Sequence, residues 1–364
     1  MRAGAPTRDY RKEQATIMGD DKKIDPLDDD SVLSPASYEE DDKWMAEGTG
    51  GFEMPVFDGL RNDAGSPVQP IELKADTPFR FRCHKGVSCW NKCCHGADIT
   101  MTPFDILQLS RYFSVRPRDI VADFCVPAFH EASGLPVPKL VMRGKDGKGA
   151  CVFLDEEEGC KVYEARPATC RYYPLGLAAM KMKGHEAKQE MYFLVREDYC
   201  KGHDEEREQT IAAFRKKQGV EPYDLFNERW IEILMKAASW RSLGGPYGQD
   251  IPKPMKQMFY MLCTDIDKFR EFVFNTTFLE RYDVPEDVVE AFRKSDETLM
   301  LFGFDWMKHV MFGEETVKMK DEVFADAMAE ARDNWMKYGE FKNTWKYKPR
   351  MEDMGGKSGQ SEAE

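Results

Sequence analysis

The sequence has no run of apolar residues long enough to cross a membrane, which takes about eighteen in succession. Its opening residues, MRAGAPTRDYRKEQ, contain no apolar core of the kind that a secretory signal peptide needs. These two absences predict a soluble, cytoplasmic chain. With 364 residues, 42% of them hydrophobic, the chain is long enough for one large or two ordinary domains with a buried core.

Familiar catalytic and nucleotide-binding motifs are also lacking. The sequence contains no G-x-S-x-G, no H-E-x-x-H, no phosphate-binding G-x-x-x-x-G-K and no G-x-G-x-x-G after a predicted strand. No catalytic or cofactor-binding residue follows from a motif, so whether the protein is an enzyme stays open. The stretch FKNTWKYKPR mixes basic and aromatic residues, but in a chain of net charge −13 it is weak ground for nucleic-acid binding. We expect neither a nucleic-acid nor a membrane partner, and a protein partner stays open.

Charge and composition divide the chain into four parts. Residues 1–78 are acidic and show no sustained period of 2 or 3.6 residues, so we expect this segment to be disordered. The charged tail at 349–364 is expected to be disordered as well. Residues 79–203 contain nine of the ten cysteines. Residues 204–348 show the period of amphipathic helices and predict an all-helical region.

Local patterns predict an α+β fold. Thr102 and Pro103 form a helix-start signal, and apolar residues then recur at helical spacing. The stretches PKLVMRGKDGKGACVFLD and LGLAAMKMKGHEAKQEMYFLVRE each place two β-prone runs around a Gly-containing turn and predict two β-hairpins. Further along, apolar stripes, including one with Phe324 and Trp335, predict helices that pack against each other. We therefore expect a small cysteine-rich domain with short helices and two hairpins, followed by an all-helical region.

Ten cysteines are not many for this length, yet four of them lie in CHKGVSCWNKCC, which spans residues 83 to 94. In a reducing compartment, such a cluster is more typical of a metal site than of a disulfide framework. Crowded thiolates repel and raise each other's pKa, and a metal ion or an iron-sulfur cluster removes that cost. Metal binding is therefore predicted. The candidate ligands are the eight cysteines at the ends or turns of predicted elements: Cys83, Cys89, Cys93, Cys94, Cys151, Cys160, Cys170 and Cys200.

The remaining two cysteines have a different setting. Cys125 ends the helical stretch IVADFC, and Cys263 lies beside the apolar stripe of a predicted helix. We expect both to be buried as small hydrophobic residues rather than to act as ligands.

Histidines and arginines also lie near the predicted ligands. We expect His84 and His95 to lie beside the site or at the surface rather than to replace a thiolate. Arg166 and Arg171 flank Cys170, and two interpretations of them stay open. They could donate to cluster sulfurs or hold an anionic substrate, or they could pair with the acidic DEEE turn.

The spacing favours iron slightly over zinc. Within the first quartet the gaps are five, three and zero residues, whereas structural zinc typically uses ligand pairs separated by about two to four residues. Iron-sulfur clusters accept more varied spacing. Because the side chains of adjacent residues diverge, Cys93 and Cys94 more readily serve two centres, or one centre and its surroundings, than one small ion. Eight thiols would complete two four-thiolate sites.

The stretches FRCHKGVSCWNKCC and CVFLDEEEGCKVYEARPATCRYYPLG resemble the YkgJ-type cysteine-cluster family, a zinc- or iron-chelating domain, over about residues 79–200. The second stretch matches the family pattern Cys, then Cys-x-x-Tyr-x-x-Arg-Pro-x-x-Cys-Arg-x-x-Pro, at Cys151, Cys160, Tyr163, Arg166, Pro167, Cys170, Arg171 and Pro174. The five-residue gap between Cys83 and Cys89 departs from the shorter gap that is common in the family. The resemblance implies chelation of zinc or iron.

Three hypotheses about function follow. In the first, a metal holds together a binding or scaffold domain. In the second, the protein is an iron-sulfur protein for electron transfer or redox chemistry. The third is implied by a more distant resemblance to the cysteine-rich domain of flagellin lysine N-methylases, namely S-adenosylmethionine-dependent methylation of protein lysines. The first is favoured, because the sequence shows candidate ligands and no substrate-binding machinery.

Overall fold

A computed structural model describes residues 73–144, 147–180, 189–244 and 250–338. Most of the segment predicted to be disordered at the N-terminus, and the whole tail at 349–364, lie outside these ranges. Residues 73–78 are described: Leu73 exchanges backbone hydrogen bonds with Tyr192, residues 74–76 are exposed, and a strand begins at Pro78.

The chain forms two compact units. The first, here called the cysteine unit, comprises the chain up to Met101 together with Asp119–Ala128 and Pro138–Val220. The second, the helical unit, comprises Thr102–Arg118, Phe129–Val137 and the chain from Glu221 onward.

Eight short strands form two-stranded sheets. They are β1 (Pro78–Arg80), β2 (Cys125–Phe129), β3 (Pro136–Leu140), β4 (Leu154–Asp155), β5 (Gly159–Cys160), β6 (Leu175–Met180), β7 (Gln189–Leu194) and β8 (Glu208–Thr210). The pairs are β1 with β8, β2 with β3, β4 with β5 and β6 with β7.

Eleven α-helices lie within the described residues. They are α1 (Pro103–Phe113), α2 (Pro117–Phe124), α3 (Ala168–Tyr172), α4 (Ile211–Gln218), α5 (Glu221–Ser242), α6 (Lys253–Thr264), α7 (Ile266–Asn275), α8 (Phe278–Arg281), α9 (Glu286–Lys294), α10 (Asp296–Phe312) and α11 (Asp321–Tyr338). This combination of short helices, small sheets and a helical C-terminal region confirms the predicted α+β class.

The second predicted hairpin is confirmed, and the first forms only over a short stretch. Strands β6 and β7 pair antiparallel from Leu175 opposite Leu194. In the first stretch, β3 pairs with β2, and the hairpin is limited to the residues that follow β3. There the amide of Arg143 donates to the carbonyl of Ala150, the amide of Val152 donates to that of Val141, and Met142 bridges Cys151. Residues 150 and 151 pair at the same time with the segment that contains Cys94, so they lie between two partner segments.

The core of the cysteine unit is an aromatic and aliphatic cluster on the β1–β8 and β6–β7 pairs. Its buried members are Phe79, Phe81, Leu175, Tyr192, Ile211 and Phe214. Cys200 packs against this cluster. The hydrophobic core therefore extends to the edge of the cysteine-rich region.

Local sequence signals explain how the helical unit begins. Thr102 accepts a hydrogen bond from the amide of Asp105, and the Asp105 carboxylate accepts one from the amide of Thr102, so α1 starts with a complete capping box. The predicted apolar stripes on α5, α6 and α7 are buried. The stripe predicted on α11 differs, because Phe324 is 55% exposed. None of the described helices is long and apolar enough to cross a membrane.

Candidate metal centre

The first four candidate cysteines lie on a succession of tight turns. The amide of Lys92 donates to the carbonyl of Cys89, and the amide of Cys94 donates to that of Asn91. Asn91 itself has a left-handed backbone (φ 66°), a conformation that asparagine tolerates better than most residues. The 3₁₀ turn Lys92–Cys94 follows and carries the two adjacent cysteines.

Backbone hydrogen bonds join this segment to Cys151. The amide of Cys151 donates to the carbonyl of Cys94 at 2.7 Å, and the amide of Gly96 donates to the carbonyl of Gly149 at 2.9 Å. The two candidate ligands Cys94 and Cys151 are thus neighbours even though they are far apart in sequence.

The β4–β5 hairpin brings Cys160 to the same place. Cys160 lies opposite Leu154 in this pair, and the amide of Leu154 donates to the carbonyl of Cys151. The preceding Gly159 has φ of 87°, and a Cβ at this position would lie 2.8 Å from Cζ2 of Trp90. The turn before Cys160 therefore requires glycine for both its backbone and its contact with the first cysteine segment.

Arg166 and Arg171 position Cys170 through backbone carbonyls. The buried Arg171 donates from Nε to the carbonyl of Arg166 at 3.0 Å, from Nη1 to the carbonyl of Gln218 at 2.9 Å, and from Nη2 to the carbonyl of Glu164. Arg166 donates to the carbonyl of Tyr163 and to the side chain of Gln218. The guanidinium of Arg171 thus ties α3, which carries Cys170, to carbonyls outside the helix, while the charge of Arg166 acts on the thiols of Cys160 and Cys170.

Cys83, Cys89 and Cys200 come together on the other side of the adjacent pair. The amide of Lys201 donates to Sγ of Cys89 at 3.2 Å. The amide of Arg82 donates to the carbonyl of Gly202 at 2.9 Å. These two contacts place the residues next to Cys200 against Cys89 and against the neighbour of Cys83.

The thiols perturb one another electrostatically. Although part of the Cys83 residue is exposed, burial of its thiol and the charges of three neighbouring thiols together raise its pKa to about 11. Burial is the largest cause, followed in decreasing order by Cys93, Cys89 and Cys200. Burial likewise raises the pKa of Cys151 to about 11, and Cys160 contributes to that shift.

The adjacent thiols of Cys93 and Cys94 share a hydrogen bond that moves their pKa values apart. This bond lowers the pKa of Cys93 to about 7 and, together with burial, raises the pKa of Cys94. Cys93, Cys170 and Cys151 raise the pKa of Cys94 further through their charge. Burial raises the pKa of Cys160, and Cys93 adds to it. All eight predicted ligands therefore belong to one coupled set of thiols.

This set suits a cation chemically. Burial and neighbouring thiols raise the pKa of Cys83, Cys151 and Cys160, and a bound cation would favour their ionised forms. Within the described residues, no three Cys, His, Asp or Glu side chains already stand in the arrangement of a metal site. The fold brings the donor-bearing segments together, and the pKa of Cys93 is lowered to about 7.

The two cysteines predicted to be buried differ from each other. Cys263 lies on α6 and is 4% exposed, as expected, and burial raises its pKa. Cys125 is only half-buried, and it begins strand β2 rather than ending a helix, because α2 stops at Phe124. The burial prediction is therefore confirmed for Cys263 and wrong for Cys125.

The two flanking histidines bind other protein groups. Nδ1 of His84 accepts from the amide of Gly86, and its Nε2 lies 3.1 Å from the Glu205 carboxylate. His95 places Nδ1 3.1 Å from the carbonyl of Asn91 and Nε2 3.1 Å from the Glu156 carboxylate. Protein partners thus engage both nitrogens of each ring.

Three residues near the thiols were missed by sequence reasoning. Tyr173 donates to the Glu197 carboxylate at 2.9 Å. Burial and a hydrogen bond with Cys200 raise the pKa of Tyr173, while burial and a hydrogen bond with Glu197 raise that of Tyr199. The charge of Glu197 also acts on Cys93. The only sequence signal was that these residues stand within a few positions of Cys170 or Cys200.

Comparison with protein families gives one match. Residues 82–221 match the model of the CxxCxxCC family, described as a "putative zinc- or iron-chelating domain". Over this segment the chain is similar to the cysteine-cluster family. The matched segment contains all eight candidate cysteines and ends within one residue of the cysteine unit, whose last residue is Val220. The match supports a metal ion bound through cysteines.

Comparison of the chain with curated proteins and with solved structures finds no significant match. The resemblance to flagellin lysine N-methylases is not confirmed by these comparisons.

Proposed function

We propose that the cysteine-cluster domain binds zinc or iron through the thiolates of the eight clustered cysteines, and that the metal holds the domain together. The observation that carries this proposal is the coupling of all eight thiols, which the chain draws from several separate segments. Crowding of this kind costs free energy unless a cation compensates it.

The surrounding residues support binding in specific ways. The amide of Lys201 donates to Sγ of Cys89, and an amide hydrogen bond of this kind stabilises a thiolate ligand. Arg171, next to Cys170, donates to the backbone carbonyls of Arg166 and Gln218. A bound metal would supply positive charge to the ionised thiols, while these residues hold the ligand-bearing segments in place.

Metal and sulfide analysis of the full-length protein tests the proposal. The protein is purified without oxygen, and zinc, iron and acid-labile sulfide are measured per chain. Zinc without sulfide would identify a zinc site, iron with sulfide an iron-sulfur cluster, and iron alone a mononuclear iron site. Each of these supports the proposal, and a chain that neither retains nor takes up either metal would contradict it.

Substitutions then connect the metal to particular thiols. We expect Cys93→Ser and Cys170→Ser to lower the metal content. The matched control is Cys263→Ser, which removes a buried thiol of the helical unit and should keep the full metal content. Unchanged metal in both Cys93→Ser and Cys170→Ser would refute the ligand assignment.

A further inference from the structure

We infer that the apolar side of helix α11 is the docking surface for a second copy of this chain, with the α11 helices of the two copies packed antiparallel against each other. The helix belongs to the helical unit, whereas the clustered thiols belong to the cysteine unit. The inference therefore goes beyond the proposed function and does not depend on metal binding.

Apolar residues recur along one side of α11. Phe324 and Met328, one turn apart, are 55% and 57% exposed. In the sequence the same side continues with Ala331, Trp335 and Tyr338, so that successive members are separated by four, three, four and three residues. This is the spacing of helices that pack against each other along their length. Such a stripe lowers the free energy of the helix only when another apolar surface covers it.

The described part of the helical unit does not supply that surface. Helices α5 and α10 pack closely on each other, as do α9 and α10, whereas no described helix or strand packs along α11 to that extent. The contrast is clear in the burial of one residue type, because Phe304 of α10 is fully buried while Phe324 is more than half exposed. The described side chains of the stripe are therefore open to another molecule.

The charges of α11 favour a second copy in antiparallel orientation. The half from residue 321 to 330 contains four acidic residues and no basic one, and the half from 331 to 338 contains two basic residues and one acidic one. A parallel pair would place the two acidic halves side by side, and they would repel each other. An antiparallel pair instead places each acidic half beside the net positive half of the other copy.

The order of residue sizes fits the same arrangement. When the two helices cross at Ala331, a small residue lies at the crossing point, and the helices can approach closely. Position 327, an alanine, then lies opposite position 335 of the second copy, a tryptophan. The same register places Glu330 opposite Arg332 of the second copy. The stripe is thus complementary to itself in both size and charge.

A lipid surface would fit this helix less well than a second copy. Amphipathic helices that lie on membranes carry Lys and Arg on their polar face, whereas α11 has five acidic residues and two basic ones. The helix has 18 residues and is about 27 Å long, so a pair of such helices forms a small interface. We expect a weak dimer with a dissociation constant in the micromolar range.

Sedimentation equilibrium of the full-length protein tests this inference, with a reductant present to prevent disulfides between copies. Between about 1 and 200 µM we expect a monomer–dimer equilibrium. Phe324→Ser should raise the dissociation constant about tenfold or more. The matched control is Leu225→Ser on α5, which removes a side chain of similar exposure (51%) and should leave the equilibrium unchanged. A monomer at every concentration, or a dimer that Phe324→Ser does not weaken, would overturn the inference.

An exchange of charges tests the antiparallel register. Arg332→Glu and Glu330→Arg should each raise the dissociation constant about fivefold, because each places like charges opposite one another across the interface. Combining the two substitutions exchanges the charges and should restore nearly the original value. A double variant that dimerises as weakly as either single variant would show that these positions do not face each other.

Hydroxyl-radical footprinting of the unaltered chain distinguishes the second copy from other occupants. We expect the oxidation rate of Met328 to fall as the protein concentration rises through the range of the dissociation constant. Protection that is complete even in dilute protein would identify another segment of the same chain as the cover. Protection that appears only when phosphatidylcholine vesicles are added would identify a lipid surface. Either of these results would overturn the inference.

Discussion

The amide of Cys151 donates to the carbonyl of Cys94 at 2.7 Å and joins the two cysteine-rich stretches of the chain. This hydrogen bond places the second stretch of thiols beside the first, while Cys151 keeps its bridge to Met142 in the short hairpin that the sequence predicts. Five predictions follow from this arrangement and its surroundings.

Metal affinity should rise with pH. The pKa values of Cys83 and Cys151 are raised to about 11, so these thiols are protonated in the metal-free chain at neutral pH and must release protons to bind. For each proton that the thiols release on binding, the apparent metal affinity should rise on the order of tenfold per pH unit, as long as the pH is below the pKa of that thiol. Competitive Zn²⁺ titrations between pH 6 and 9 measure this, and Cys263→Ser should give the same slope. A flat profile would contradict thiolate ligation.

Gly159→Ala should destabilise the cysteine-cluster domain. A Cβ at Gly159 would lie 2.8 Å from the Trp90 ring, and the backbone there has φ of 87°. Gly147→Ala is a matched control, because it has φ of 65° and open space around the position. The control should cost about 1 kcal/mol for its left-handed backbone, and Gly159→Ala should cost about 1–3 kcal/mol more through overpacking. Denaturant unfolding measures both, and equal losses would show that the Trp90 contact is unimportant.

Arg171→Lys should weaken the domain although the charge is kept. The guanidinium of Arg171 donates to three backbone carbonyls, and an ammonium group cannot reproduce that planar set. We expect a loss on the order of 1–3 kcal/mol together with weaker metal binding through misplacement of Cys170. Arg80→Lys, at a side chain that is 66% exposed, is the control and should change neither quantity. Wild-type stability of Arg171→Lys would argue against a positioning role.

Cys263→Ser should destabilise the helical unit without loss of metal. The side chain is buried at 4% exposure, and a poorly paired hydroxyl in an apolar site costs about 1–3 kcal/mol. Cys125→Ser should also keep full metal content. Melting curves and metal analysis measured on the same samples separate the two effects. Loss of metal from Cys263→Ser would show that the division of the cysteines into metal ligands and buried thiols is wrong.

The helical unit should lose an electrostatic contribution to its stability in acid. Burial alone would raise the pKa of Glu232, but Lys236 and Lys308 outweigh burial and lower it. Because the folded pKa lies below the unfolded value, the contribution is present above about pH 4.3 and is lost as pH falls through the folded pKa. Glu232→Gln should therefore be less stable than wild type at pH 7 and approach it at pH 3. Glu290→Gln, at an exposed pair on α9, should show a smaller difference at pH 7. If the difference in stability between wild type and Glu232→Gln were the same at pH 3 as at pH 7, the electrostatic origin would be refuted.

Several features followed from sequence alone because they depend on neighbouring residues. The capping box at Thr102 and Asp105 starts α1 where the sequence placed it, and the β6–β7 hairpin forms as predicted. The buried stripes of α5 to α7 follow from helical periodicity. The unusual density of cysteines was enough to predict metal binding, which the family match supports.

Other features were decided only by the tertiary structure, because they depend on hydrogen bonds between distant segments. The sequence could not show that Cys151 would pair with Cys94, or that β3 would pair with β2. It gave no sign that Arg171 would bind backbone carbonyls or that Glu197 would lie near Cys93. Local pattern determines where an element begins and which face is apolar. Which distant backbone groups meet depends on how the whole chain closes, and in this protein that closure determines which thiols become neighbours.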